Sequence, residues 1–115
     1  MNIRKIDDSL SVCPQISTDD IEIIAAKGFC SIICNRPDGE ADNQPGFSEI
    51  AAAADAAGLE IRYLPVISGQ LQDQDIAEFS AALRDLPAPV LAYCRTGTRS
   101  AMLCSLHENR NKTPS

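Results

Sequence analysis

Short apolar runs alternate along this chain with longer stretches that repeat at helical spacing. Residues 3–6 and 10–13 read as two short strands joined in a hairpin across Asp7-Asp8-Ser9. Ser17, with Asp20 three positions on, resembles a capping box, so a helix is predicted over 18–27, with Gly28 just past its end. Residues 29–34 form a nearly continuous apolar run, as expected of a strand buried on both faces. Residues 35–46 are too rich in turn formers for regular structure. An Ala-rich helix over 47–57 follows, closed by Gly58. Residues 59–66 read as a strand that Pro65 should end or place at a sheet edge. After a loop over 67–72, Ile76, Phe79, Leu83 and Leu86 recur at helical spacing, predicting a helix over 73–86 that Pro87 and Pro89 break. A buried strand at 89–93, a helix over about 99–109 and a frayed tail at 111–115 complete the reading.

The order β-β-α-β-α-β-α-β-α predicts an α/β fold with a mostly parallel central sheet flanked by helices in three layers. At 115 residues the chain can bury one core and is too short for two, so a single domain over 1–115 is expected. Ligands of such sheets bind beyond the carboxyl ends of the strands. Cys94 lies there, as do the loops after Cys34 and Val66.

The net charge is −6, which argues against nucleic acid and anionic membranes as partners and makes any local basic pocket conspicuous. The first residues lack an apolar signal core and no run is long enough to cross a membrane, so a cytoplasmic location is expected. The five cysteines (Cys13, Cys30, Cys34, Cys94, Cys104) include no Cys-x-x-Cys pair and there is one histidine. Mostly buried free thiols are expected, with no metal and no cofactor.

The chemistry concentrates in Cys94-Arg95-Thr96-Gly97-Thr98-Arg99-Ser100. Between a buried strand and a helix, the backbone N–H groups of residues 95–99 can converge on one anion. The helix N-terminus and the Arg99 guanidinium favour a thiolate at Cys94. Arg99 can hold an oxyanion through two parallel hydrogen bonds, Gly97 permits the close backbone approach, and Ser100 can offer its hydroxyl to the thiolate. The side chain of Arg95 is expected to point outward, with Thr96 and Thr98 contributing chiefly N–H groups.

This Cys-x4-Arg-Ser pattern resembles the signature loops of two cysteine-dependent groups. Tyrosine and dual-specificity phosphatases carry Cys-x5-Arg-Ser/Thr, and rhodanese sulfurtransferases often carry Cys-Arg-x-Gly-x-Arg. The loop is one residue shorter than the first and has the length of the second. Together with Gln15-Ile16-Ser17, Gly28-Phe29, Asn35-Arg36-Pro37-Asp38-Gly39-Glu40 and residues 61–66, it resembles nearly end to end the phosphatase-like domain of beta-lactamase-hydrolase-like proteins. The resemblance implies a dual-specificity-phosphatase-like fold and a functional link to a persulfide dioxygenase, to which this domain is fused in some members.

It also implies a general acid in the loop after the strand at 61–66, but Ile67-Ser68-Gly69-Gln70-Leu71-Gln72 holds none. Asp73 and Asp75 at the next helix start, and Asp38 and Glu40 after Cys34, are the candidates. Arg36 could add a second cation to the pocket or pair with Asp38. Cys34 could trap an oxidised Cys94, although a core thiol sharing a strand face with Cys30 is the simpler expectation. Cys104 should be packed and His107 exposed. Three functions follow. In the first, Cys94 attacks a phosphate monoester, with Arg99 and the loop amides stabilising the equatorial oxygens. In the second, Cys94 carries a persulfide between small anionic donors and thiol partners. In the third, the loop binds phosphoanions without turnover.

Overall fold

The computed structural model describes the backbone of residues 1–112 and the side chains of residues 1–109. Within them lie strands β1 (Arg4–Asp7), β2 (Leu10–Cys13), β3 (Ser31–Cys34), β4 (Glu60–Tyr63) and β5 (Val90–Tyr93). The helices are α1 (Asp20–Ala26), α2 (Phe47–Ala56), α3 (Asp73–Asp85) and α4 (Thr98–Lys112). The sheet order is β1-β2-β5-β3-β4, antiparallel at β1 and parallel elsewhere. The strands read at 10–13, 29–34 and 89–93 became the three inner strands, buried at every position. The more polar β1 and β4 take the edges.

Alternation along β5 divides the core. Val90 and Ala92 pack with Leu10, Val12, Ile33, Phe79 of α3 and Leu103 of α4. Leu91 and Tyr93 pack on the other side with Ile32, Ile21 and Ile24 of α1, and Ile50 of α2. Each such fully buried side chain contributes about 1.5–3 kcal/mol of transfer free energy. The predicted three-layer α/β domain is therefore the observed one.

Several element ends differ from expectation. Only half of a capping box forms at α1: the Ser17 N–H donates to Asp20 Oδ2 at 2.9 Å, so the helix starts at Asp20 rather than at Thr18. The run at 29–34 pairs only from Ser31, leaving Cys30 exposed, so it does not share a buried face with Cys34. The run at 59–66 pairs for four residues, because edge strand β4 has β3 alone to pair with and that partner ends at Cys34. Helix α4 continues to Lys112, into the segment expected to fray; residues 113–115 of that expectation lie outside the described residues. No described helix is long and apolar enough to cross a membrane.

Cys13, Tyr93 and Cys34 are partners in register across β2, β5 and β3. The three inner strands therefore end level, and Pro14, Cys94 and Asn35 emerge side by side at their carboxyl ends.

Candidate active site

Cys94 follows β5 and is completely buried. The Gly97 N–H donates to Cys94 Sγ at 3.1 Å. Gly97 has φ +91° and backs onto the Cys13 carbonyl carbon, which a Cβ would meet at 3.4 Å. Its carbonyl accepts the Ala101 N–H at 2.9 Å and so opens α4. The Arg95 carbonyl accepts the Gln15 N–H at 3.2 Å, fastening the loop to the segment after β2, while the Arg95 side chain is exposed as expected. The hydroxyl of Thr96 donates to Thr98 Oγ1 at 3.0 Å. The loop is thus pinned from below by β2 and from within by its own side chains.

Arg99 does not stand free. Its Nη1 donates to Glu40 Oε2 at 2.7 Å and to the Val66 carbonyl at 2.9 Å, and its Nη2 donates to Glu40 Oε1 at 2.8 Å. Of the five guanidinium N–H donors, three are thereby used. The Nε–H and one Nη2–H remain, and these lie on one edge of the fork. The guanidinium also interacts with the Cys94 sulfur. Glu40 Oε1 additionally accepts from Arg36 Nε at 3.0 Å. Arg36 is buried and its Nη1 donates to Gln15 Oε1 at 3.0 Å. Arg36 therefore pairs with Glu40, not with Asp38. Hydrogen bonds from Arg99 are the main cause holding the Glu40 carboxyl below the ordinary glutamate range; partial burial opposes them and Arg36 assists. The same bonds raise Arg99 above its ordinary value.

Ser100 departs from expectation. Its hydroxyl donates to Asn35 Oδ1 at 2.9 Å and so is directed to the amide, not to the thiolate. Asn35 is completely buried, its Nδ2 donates to the Leu64 carbonyl at 3.0 Å, its N–H to Tyr93, and its own carbonyl accepts the Val66 N–H. Through its backbone and side chain together, this one residue ties the ends of β3, β4 and β5 to the first turn of α4. The sequence signal was a polar residue closing an apolar run, and its role was not legible there.

The candidate acids disperse. Asp38 Oδ1 accepts the Phe47 N–H at 2.8 Å and caps α2. Asp75 Oδ2 accepts the Gln72 N–H at 2.9 Å within the capping box of α3. Asp73 lines a separate groove with Ile76 and Leu106. A cleft of about 700 Å³ opens beside the loop. Its lining combines the polar Arg95, Thr96, Thr98, Arg99 and Glu40 with the apolar Val66, Ile67, Leu71 and Met102. Its surface is made by the residues around Cys94 rather than by Cys94 itself.

All five thiols are free. Cys34 Sγ donates to the Arg36 carbonyl at 3.3 Å; burial pushes its pKa up, and the Tyr93 hydroxyl, hydrogen-bonded to it, works against that. Burial, with the Cys94 sulfur adding to it, pushes Cys13 up to about 12. Cys104 is packed as expected. His107 is half-buried rather than exposed: Nδ1 pairs with Ser80 Oγ at 2.7 Å and the ring stands edge-on to Phe79. Its helical position faces α3, which sequence spacing alone did not show.

Fold and sequence together place the chain in a phosphatase-like class. A family model described as "Beta-lactamase hydrolase-like protein, phosphatase-like domain" matches residues 2–110. The chain belongs to that family. It is 41% identical over 108 residues to the beta-lactamase hydrolase-like protein of Xylella fastidiosa Temecula1, covering 94% of this chain and 25% of that one. The chain thus spans about a quarter of the length of the curated relatives it matches. Among solved structures, a protein of Neisseria meningitidis Z2491 provisionally assigned as a phosphatase superposes with a TM-score of 0.90 at 38% identity, covering 99% of this chain and 81% of that one. The catalytic core of the Saccharomyces cerevisiae PP-IP phosphatase Siw14 shares the fold, with a TM-score of 0.72 at 9% identity over 98% of this chain and 68% of that one.

Proposed function

We propose that this domain is a cysteine-dependent phosphatase. The observation that carries the reading is the Arg99 guanidinium at the start of α4, fixed by Glu40 and Val66 and interacting with the buried Cys94 sulfur. The N–H groups of Arg99 not used by Glu40 and Val66 serve a phosphoryl group, and the Gly97 N–H and the helix terminus add positive potential. The Cys94 thiolate attacks phosphorus: the S–P bond forms as the P–O bond to the leaving group breaks, and its electron pair goes to that oxygen. Water then attacks the thiophosphoryl phosphorus, the S–P bond breaks, the thiolate is regenerated, and dihydrogen phosphate departs with the water's protons.

The free thiols fit work in the reducing cytoplasm, and a functional link to a persulfide dioxygenase is part of the proposal. The test is steady-state release of phosphate from p-nitrophenyl phosphate, beside Cys94→Ser. Turnover that vanishes in the variant while phosphate binding survives is expected. Thiocyanate formation from thiosulfate and cyanide, dependent on Cys94 and without phosphate release, would instead establish a sulfurtransferase. Phosphate binding with no turnover of either kind would leave an anion-binding module.

A further inference from the structure

Phosphoryl transfer to a thiolate expels an oxyanion, and an alkoxide leaves readily only if an acid protonates it. Each carboxyl group near the loop is otherwise engaged. Both oxygens of Glu40, the carboxylate on the cleft, accept guanidinium N–H groups, three in all, so it is held as an anion with no proton to give. Asp38 caps α2 and Asp75 caps α3. Asp73 opens onto a different groove. The same cleft is also lined by Val66, Ile67, Leu71 and Met102, with Ile67 57% and Met102 50% exposed. Large apolar side chains held open to water at a cleft mouth favour an apolar occupant.

We propose that the substrate is a phosphate carried on a weakly basic oxygen attached to an apolar body, an acyl phosphate or activated aryl phosphate, whose leaving group departs unprotonated. The proposal rests on the phosphatase reading. For the acyl case, the S–P bond forms while the acyl O–P bond breaks, and a carboxylate departs with the electron pair. Water completes the cycle as above, so no proton donor is required in the first step. The apolar wall accommodates the acyl or aryl body, and Arg99 and the loop hold the phosphoryl oxygens.

The test is a series with one apolar body and rising leaving-group basicity: benzoyl phosphate, p-nitrophenyl phosphate, phenyl phosphate and benzyl phosphate. The expected result is kcat/KM falling in that order, by about 10⁴-fold from first to last, because the protein does not supply the 10²–10⁴-fold of a general acid at the hard end. Asp73→Asn should leave the whole profile unchanged. A second arm compares benzoyl with acetyl phosphate in Ile67→Ser and Met102→Ser, both at exposed positions. A rise in KM confined to benzoyl phosphate is expected. A profile flat within tenfold, or one that steepens only in Asp73→Asn, overturns the proposal while Cys94-dependent turnover preserves the phosphatase reading. An equal rise in KM for both acyl phosphates overturns the apolar-body half. Turnover of the series that persists in Cys94→Ser overturns the phosphatase reading itself.

Discussion

The Glu40 carboxylate grips the Arg99 guanidinium through both oxygens, at 2.7 and 2.8 Å, across 59 positions of sequence. Val66 takes a further Nη1 bond. On the phosphatase reading, this carboxylate repels the substrate and yet fixes the group proposed to bind it. Orientation and repulsion therefore act in opposite directions on two kinetic constants.

Glu40→Gln separates them. Gln keeps the shape of the contact but loses the charge, so Arg99 is held less firmly and the negative field beside the anion disappears. We expect kcat to fall about 10-fold, in line with the loss of a charge-assisted hydrogen bond, while KM for p-nitrophenyl phosphate stays level or falls. Parallel rises in KM with unchanged kcat would show that Glu40 does not position Arg99.

The same pair sets an acid limit. Glu40 titrates below the ordinary glutamate range because Arg99 favours its charged form. A depressed carboxyl contributes stability fully present above the unfolded value, about 4.3, and lost as pH falls through the lower folded value. Urea unfolding of the protein and of Glu40→Gln should therefore differ at pH 6 and converge progressively below about pH 4. A difference that is constant across that range removes the ion pair as its cause.

Asn35 and Ser100 form the other long-range tie, 65 positions apart. Asn35→Ala leaves the Ser100 hydroxyl and the Leu64 carbonyl without partners in a buried site, for an expected loss of about 2–4 kcal/mol. Ser100→Ala orphans Asn35 Oδ1 alone and should cost about 1–2 kcal/mol. In a double-mutant cycle by denaturant unfolding, the double variant should be more stable than the sum of the two losses implies. Additive losses would mean the two side chains are energetically independent.

Gly97→Ala tests the loop backbone. At φ +91° an L side chain is strained by about 1–3 kcal/mol, and its Cβ would come into contact with the Cys13 carbonyl carbon at 3.4 Å. Relaxation would carry the Gly97 N–H away from the Cys94 sulfur. Turnover should fall more than the loss of stability predicts, since the variant can stay folded while the loop is misaligned. Activity equal to the parent protein's would show that the loop tolerates the shift.

Thiol reactivity should divide by burial. Cys30 is exposed, whereas burial pushes Cys13 and Cys104 up to about 12. With iodoacetamide at pH 8, mass mapping should find Cys30 carboxamidomethylated well before Cys13 or Cys104. Equal rates at the three sites would place the two buried thiols in solvent-reachable surroundings.

The sequence by itself determined what depends on neighbours along the chain. The strands read at 10–13, 29–34 and 89–93 became the inner strands β2, β3 and β5, and the 3.6-residue period of Ile76, Phe79 and Leu83 became α3. The spacing of Cys94, Gly97 and Arg99 was legible because strand, loop and helix start are contiguous, so their geometry follows from local backbone preferences. The tertiary structure alone decided which of several equivalent carboxylates meets Arg99. Asp38 and Glu40 lie two residues apart on one irregular loop, yet one caps α2 and the other grips the guanidinium. It alone also placed Asn35 under Ser100 and turned His107 toward Ser80. Such pairings are chosen by how level strand ends and packed helices bring distant segments together, and no period or propensity along the chain encodes that meeting.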